Sequence, residues 1–531
     1  MIIDSRNLPQ KEILTADICI VGAGAAGIAI ARAFNNSDIK IALLESGGLT
    51  FDHKTQFLYK GEITGRSFTP MEFTRRRQFG GSTVTWFGRC RPLDKDDFEQ
   101  RAWIPGSGWP FSIKELNPYY EQAGDVLQIG ENRYDASHWD KQEGFKGIDP
   151  SSPLETKIFH FSPPAHFGNS YGAELRRSTN ISVYLYANAI QAQVANGGNQ
   201  IKALQCATLQ KTKFSVEAKI FILAMGGLET TRLLLTSNNV YINGIGNQND
   251  ILGRFFMDHV SFFDGSVLKI PDSFPKSFFR LDYSTAMKNI GMVRAIGLTS
   301  EYRQTNQLLN ASAFFVKRPA YKMDDRFFSL EMKNFIQASE IIRHTTTPSL
   351  KLIGDIRRSI SNAATLLPVL LKIITAKKSE SLYGLHLQLE CTPNPQSRLT
   401  LSDQKDALGI NRLKLNWRLT QHDLESYQHF RRVIFNELGN LGFKSRKIEH
   451  GVDNEGWPVS LTPAKHPSGT TRMHKNERYG VVNEHCQVHG VHNLYIASGS
   501  VFPTSGMANP TLTIVAIALR IAKRIKHELR G

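Results

Sequence analysis

The segment DICIVGAGAAG at residues 17–27 constrains this chain more than any other stretch. Ile18, Ile20 and Val21 sit in a short apolar run of the kind that forms a buried parallel strand. Gly22, Gly24 and Gly27 follow as GxGxxG, and IAIARAF continues at helical spacing. A second apolar run, IKIALLES, closes on Glu45, 23 residues after Gly22. Strand, glycine turn, helix, strand and acid in that order predict an α/β unit that binds a dinucleotide. Gly22 permits the tight turn, Gly24 lets a pyrophosphate approach the backbone, and Gly27 lets helix and strand pack closely. The helix N-terminus then faces the phosphates. An acid at Glu45 accepts hydrogen bonds from an adenosine ribose and disfavours the 2′-phosphate of NADP. It leaves NAD and FAD open.

The chain has 531 residues, which is room for two or three domains with a large core. With 41% apolar and 21% charged residues it reads as globular, and no fixed-period repeat is visible. The N-terminus lacks a basic segment followed by an apolar run, so no signal peptide is expected. No window reaches 18 uninterrupted apolar residues; the nearest, LPVLLKIITA at 367–376, is short and carries Lys372 and Pro368. The five cysteines form no CxxC or haem signature, so reduced thiols, no metal ligation and a cytoplasmic setting are expected. The net charge of +16 leaves a lipid surface or an acidic substrate open. The basic residues form no block and no nucleic-acid motif, so no nucleic-acid partner is expected. The apolar, basic stretch 345–378 reads as two packed helices, a lid, or a peripheral membrane element.

Further segments carry turn and helix signals. RRRQFGGSTVTWFGRCRPL (75–93) contains Gly80-Gly81-Ser82-Thr83, a turn that brings N–H groups close to a phosphate or a planar ring, or is simply a turn. SGWPFSIKELNPYY (107–120) predicts a helix from about Ile113. KIFILAMGGLETTRLLLT (219–236) reads as another strand, Gly-Gly turn and helix. Residues 386–417 alternate like strands between Pro-Asn-Pro, Ser-Asp and Leu-Gly turns, and read as a pocket wall. Asn509-Pro510-Thr511 before LTIVAIALRIAKRI predicts a buried helix capped by Asn509. His466, in AKHPSGTTRMH (464–474), is by itself undecided between chemistry and a loop.

These pieces, together with LGRFFMDH (252–259), HPSGTTRM and GVHNLYIASGSVFPTSGMANPTLTIVAIALRIA (490–522), resemble the glucose–methanol–choline (GMC) family of FAD-dependent oxidoreductases from about residue 16 to 526. Within the family they are most similar to pyranose oxidases and bacterial sugar and alcohol dehydrogenases. The resemblance implies α/β plus α+β architecture: a Rossmann-like FAD-binding domain from discontinuous segments, and a substrate domain on a mainly antiparallel sheet. It implies 1–260 for the FAD domain (main segments 14–110 and 181–260), 261–450 for the substrate domain, and 451–531 returning to the FAD domain. FAD contacts are implied at Gly22, Gly24, Ala25, Ala26, Gly27, Glu45, Ser46, Gly80, Gly81, Ser82, Thr85, Trp86, Ala189, Ala224, Gly226, Ser498, Gly499, Asn509, Pro510 and Thr511.

The implied activity is oxidation of a CH–OH group on a sugar, glycoside, cyclitol or related polyol. Hydride passes to the flavin, His466 acts as base and Asn509 as its partner. The electron acceptor could be oxygen, a quinone or another carrier. A flavin-bound lyase, oxidation of a non-sugar alcohol and a non-catalytic flavoprotein are the rival readings. Two departures from the family pattern stand out. Thr85 occupies the place where pyranose oxidases carry a flavin-linked His, so FAD is expected to be non-covalent. Ser498 replaces an Asp that many members have, which puts that flavin contact in doubt. His474, His485, His489 and His492 are expected to be loop residues, and Arg472 to form a buried ion pair that supports its loop.

Overall fold

The computed structural model describes residues 1–142, 148–163, 166–272, 274, 291–318, 382–446 and 451–529. The stretch 345–378 lies outside the described residues.

The strand Glu12–Val21 shows how its sequence was selected. Its last four residues are all buried, while its first half is only partly covered. The buried half lies between two parallel neighbours, Ile41–Leu44 and Lys213–Leu223. A strand enclosed in this way takes continuous apolar residues, as in ICIV. Ile2–Asp4 and Ile181–Leu185 extend this sheet beyond Ile41–Leu44, also in parallel. The first half of Lys213–Leu223 pairs antiparallel with Ile201–Ala207, which carries Asn188–Val194. Its last residues pair in parallel with Leu494–Ile496. The C-terminal segment thus returns to the sheet that the N-terminal segment began.

Helices Ala25–Ala33 and Gly226–Thr236 each leave the C-terminal end of a parallel strand through a glycine turn. Gly22 has φ +102°, and a Cβ there would sit 2.6 Å from the Ala224 carbonyl oxygen. A Cβ on Gly27 would overlap the Gly22 carbonyl. Both positions therefore exclude a side chain. Helix Thr511–Glu528 packs on Ala25–Ala33 and on Ile113–Leu127, the helix expected from about Ile113.

The second sheet is antiparallel, with nine strands among the described residues. Its central order is Val267–Lys269, Leu382–Leu389, Ala311–Arg318, Met292–Leu298, Leu154–Phe161 and Arg89–Cys90. Val260–Phe263 also pairs with Leu382–Leu389 and carries Thr462–Pro463 on its other side. Not all of residues 1–260 lies in the first sheet. Arg89–Cys90 and Leu154–Phe161 belong to the antiparallel sheet, because they pair with each other and with Met292–Leu298.

The segment 386–417 also divides. His386–Leu389 lies in the large sheet, whereas Arg398–Lys405 and Asn411–Asn416 form a hairpin in a separate three-stranded sheet with Glu62–Ile63. No described helix is long and apolar enough to cross a membrane.

Candidate active site

One groove of about 270 Å³ runs from the glycine turn to His466. It is lined by Gly22, Gly24, Ala25, Ala26, Glu45, Ser46, Gly81, Ser82 and Trp86, and by Ala189, Ala224, Gly226, Ser498, Gly499, Pro510, Thr511 and His466. Of the residues expected there, Gly27, Gly80, Thr85 and Asn509 stand behind or beside the lining. Thr85 is exposed.

The groove residues fit a dinucleotide. A Cβ on Gly226 would meet nothing within 4 Å, and one on Gly24 only Gly81 at 3.9 Å, so both turns border open space. Glu45 is buried at the strand end. Its two oxygens accept from the Ala23 N–H at 3.0 Å and the Gly47 N–H at 2.8 Å, bracing the glycine turn against the next one. Burial pushes its carboxyl above the ordinary range, and these two N–H groups oppose the shift.

A polar cluster that the sequence did not announce lies at the same end. Glu229 receives Arg75 at 2.8 Å and Arg77 at 2.8 Å. Against burial, Arg77, Arg232 and Arg75 together hold its carboxyl down to about 2. The Arg75 and Arg77 guanidiniums lie over the Tyr59 ring, at 3.9 and 4.3 Å. The turn of the 398–416 hairpin closes this end through Asp406, which accepts from Arg232 at 2.7 Å. Charged partners scattered from residue 75 to 406 leave no local sequence signal.

At the other end, half-buried His466 is held by side chains from distant segments. Its backbone N–H donates to Asp258 Oδ1 at 2.9 Å. Its Nδ1 lies 2.9 Å from His259 Nδ1, and its Nε2 lies 3.3 Å from Asn509 Nδ2. Asn509 Oδ1 in turn faces Gln388 Nε2 at 3.5 Å. Burial, with smaller contributions from His259 and Arg89, holds the His466 imidazole well below its usual pKa. His259 is pushed down to about 4 by burial. Asp258 is pushed up to about 7 by burial, and its Oδ2 has no hydrogen-bond partner among the described residues.

Two expectations change. Asn509 does not cap the C-terminal helix: Pro510 holds that position without a side-chain bond, and the Asn509 amide turns to His466 instead. Arg472 makes no ion pair among the described residues. It donates to the Gly106 carbonyl and lies 4.3 Å over the Phe255 ring, and burial lowers its pKa to about 10. His474, His485, His489 and His492 lie in loops, as expected. Asp258, His259 and Gln388 were missed. Asp258 and His259 lie within LGRFFMDH, and a carboxyl–imidazole dipeptide was the available signal.

Residues 393–518 match the GMC oxidoreductase family model. The fructose dehydrogenase large subunit of Gluconobacter japonicus is 23% identical over 98% of this chain and 99% of its own. The 2-methyl-1,2-propanediol dehydrogenase of Mycolicibacterium austroafricanum is 21% identical over 96% and 95%. A crystal structure of formate oxidase superposes with a TM-score of 0.58 at 17% identity, covering 98% of this chain and 99% of that one. Residues 393–518 thus carry a GMC oxidoreductase C-terminal domain, and the chain is similar over its whole length to sugar and alcohol dehydrogenases.

Proposed function

We propose that this chain is a GMC-type flavoenzyme that oxidises a CH–OH group of a sugar or related polyol to a carbonyl. FAD, when bound, supplies the hydride acceptor. The observation that carries the reading is the single groove that joins the glycine turn and Glu45 to His466. In this reading the parallel sheet is the Rossmann-type FAD domain, and the segment after residue 451 returns to it. Gly22, Gly24 and the N-terminus of Ala25–Ala33 would hold the pyrophosphate, and Glu45 the adenosine ribose. The N-terminus of Thr511–Glu528, with Pro510 and Thr511 in the groove, offers positive potential there. His466 takes the hydroxyl proton, and the Asn509 amide holds the oxygen. The exposed Thr85 offers no group for a flavin link, so the cofactor is held without a covalent bond. The sugar preference is supported by the fructose dehydrogenase relative, and the propanediol dehydrogenase supports a neighbouring diol.

The test is anaerobic titration of the purified flavoprotein with sugars, cyclitols and diols, followed in the visible flavin band. Bleaching by one of them supports the reading and names the class. A bound flavin that none bleaches, with cleavage of a hydroxynitrile instead, turns the reading to a lyase. Acid precipitation should leave all flavin in the supernatant; a yellow pellet would refute non-covalent attachment.

The pH dependence follows from the depressed pKa of the base. Because the His466 pKa lies well below 6.5, the imidazole remains unprotonated as pH falls through that value. The limiting rate of flavin reduction should be level across pH 6.5 and fall only in more acidic buffer. A half-maximal rate near 6.5 in stopped-flow reduction would contradict this.

A further inference from the structure

His466 has a second buried imidazole bonded to its far nitrogen, and two backbone carbonyls decide which nitrogens carry protons. The Gly506 carbonyl can only accept, so His259 Nε2, at 2.9 Å, carries a proton. A neutral His259 then presents a bare Nδ1 to His466 Nδ1 at 2.9 Å. His466 must carry its proton on Nδ1, which leaves a lone pair on Nε2.

The same answer arrives from the other side. The Met507 carbonyl can only accept, so Gln388 turns its amide nitrogen to it at 2.7 Å. That nitrogen also faces Asn509 Oδ1 at 3.5 Å, so Asn509 turns its own nitrogen to His466 Nε2 at 3.3 Å. A donor there meets an acceptor, and Nε2 is again the bare nitrogen. Two routes, anchored on adjacent carbonyls, agree on one tautomer.

Resting on the reading of His466 as the base, we propose that His259 is a positioning residue and proton relay that aims the His466 Nε2 lone pair at the substrate hydroxyl and accepts the displaced proton. The substrate hydroxyl takes the place of the Asn509 N–H at His466 Nε2, that N–H turns to the substrate oxygen, and the hydroxyl proton bonds to Nε2. The Nδ1 proton of His466 passes to His259 Nδ1. His466 ends neutral, and His259 becomes an imidazolium. Both of its N–H groups then have acceptors in place, His466 Nδ1 and the Gly506 carbonyl.

The surroundings favour that transfer. Arg89 acts against a charge on half-buried His466, whereas Glu390 acts on His259 with the opposite sign. Among the described residues the other charged or titratable groups around the pair are Asp258 on the same segment, Lys465 beside His466, Asp97 against Gly506, and Cys391, whose thiol donates to the Asp258 carbonyl. Asp258 also holds the His466 main chain, so adjacent residues fix the backbone and the ring of the base together.

The test uses the FAD-loaded enzyme and three variants: His259→Phe, His259→Asn and His466→Ala. In anaerobic stopped-flow, His259→Phe should lower the limiting reduction rate about 10²-fold, with apparent substrate affinity within about threefold of wild type. His259→Asn should recover about tenfold of that loss, because its carbonyl oxygen still accepts from His466 Nδ1–H while its amide cannot take up the proton. Nitrogen-15 NMR of histidine-labelled protein, assigned by these variants, should show His466 as the Nδ1–H tautomer in wild type and as another form in His259→Phe.

If His466→Ala is about 10²-fold slower while His259→Phe stays within about threefold of wild type, the relay alone is overturned. A His466→Ala rate near that of wild type overturns the base and the relay together. Should His259→Phe fail to fold, the wild-type tautomer decides: Nε2–H on His466 overturns the relay.

Discussion

His466→Ala should lower the rate at which an alcohol reduces the flavin by roughly 10²–10⁴-fold, the span expected when a general base is lost. FAD should still bind. The bond that holds the His466 main chain to Asp258 comes from the backbone N–H and survives the substitution. The Glu45 clamp and the glycine turns lie at the other end of the groove and keep their own partners. Among the described residues the imidazole is bonded only to His259 and Asn509, so its removal frees two polar side chains without exposing a charge. A stability loss of about 1–2 kcal/mol is the expected side effect. The measurement is anaerobic reduction of the holoenzyme, with flavin content checked beforehand. A loss below tenfold would sink the role given to His466.

What the sequence disclosed depended on how local each signal was. The glycine turn was legible because its constraint lies within a few residues: Gly22 and Gly27 have no room for a side chain in a strand–turn–helix that must pack closely. The strand before it was legible because enclosure on both faces demands uninterrupted apolar residues. The cap reading of Asn509 fails for an instructive reason, whereas its pairing with His466 is what the structure shows. Asn-Pro before an apolar run is a good helix start, yet the amide that would cap is claimed by His466, 43 residues earlier in the chain. The His259–His466 pair spans 207 residues, and no spacing rule reaches that far. The pairing of Arg89–Cys90 with Leu154–Phe161 in the antiparallel sheet was illegible for the same reason, since register across a sheet follows partners and not chain order.

Arg101→Ala should produce the largest stability loss among single side-chain truncations in the wall behind the site. Arg101 and Glu390 are both buried and joined by two bonds, at 2.9 and 2.6 Å. Glu390 also accepts the Asn310 N–H at 2.9 Å. Removing the guanidinium leaves a buried carboxylate with one backbone donor, a defect that costs about 3–5 kcal/mol. Nearby Asp97 makes it worse. Burial and its acidic neighbours already push its carboxyl up to about 8, and Arg101 is the cation pulling it down. The effect should reach the active site. Thr504 donates to the Asp97 carbonyl at 2.8 Å and accepts from Trp109 at 3.0 Å, and this anchors the loop whose Gly506 and Met507 carbonyls orient His259 and Gln388. Thermal unfolding of the holoenzyme should fall by about 5 °C or more. The double variant Arg101→Met/Glu390→Met, which removes both charges and refills the space, should regain most of that loss. If Arg101→Ala unfolds within about 1 °C of wild type, the pair is not what fastens residues 94–109 to the antiparallel sheet. If the double variant is no better than the single, the cost lies in lost packing and not in a stranded charge.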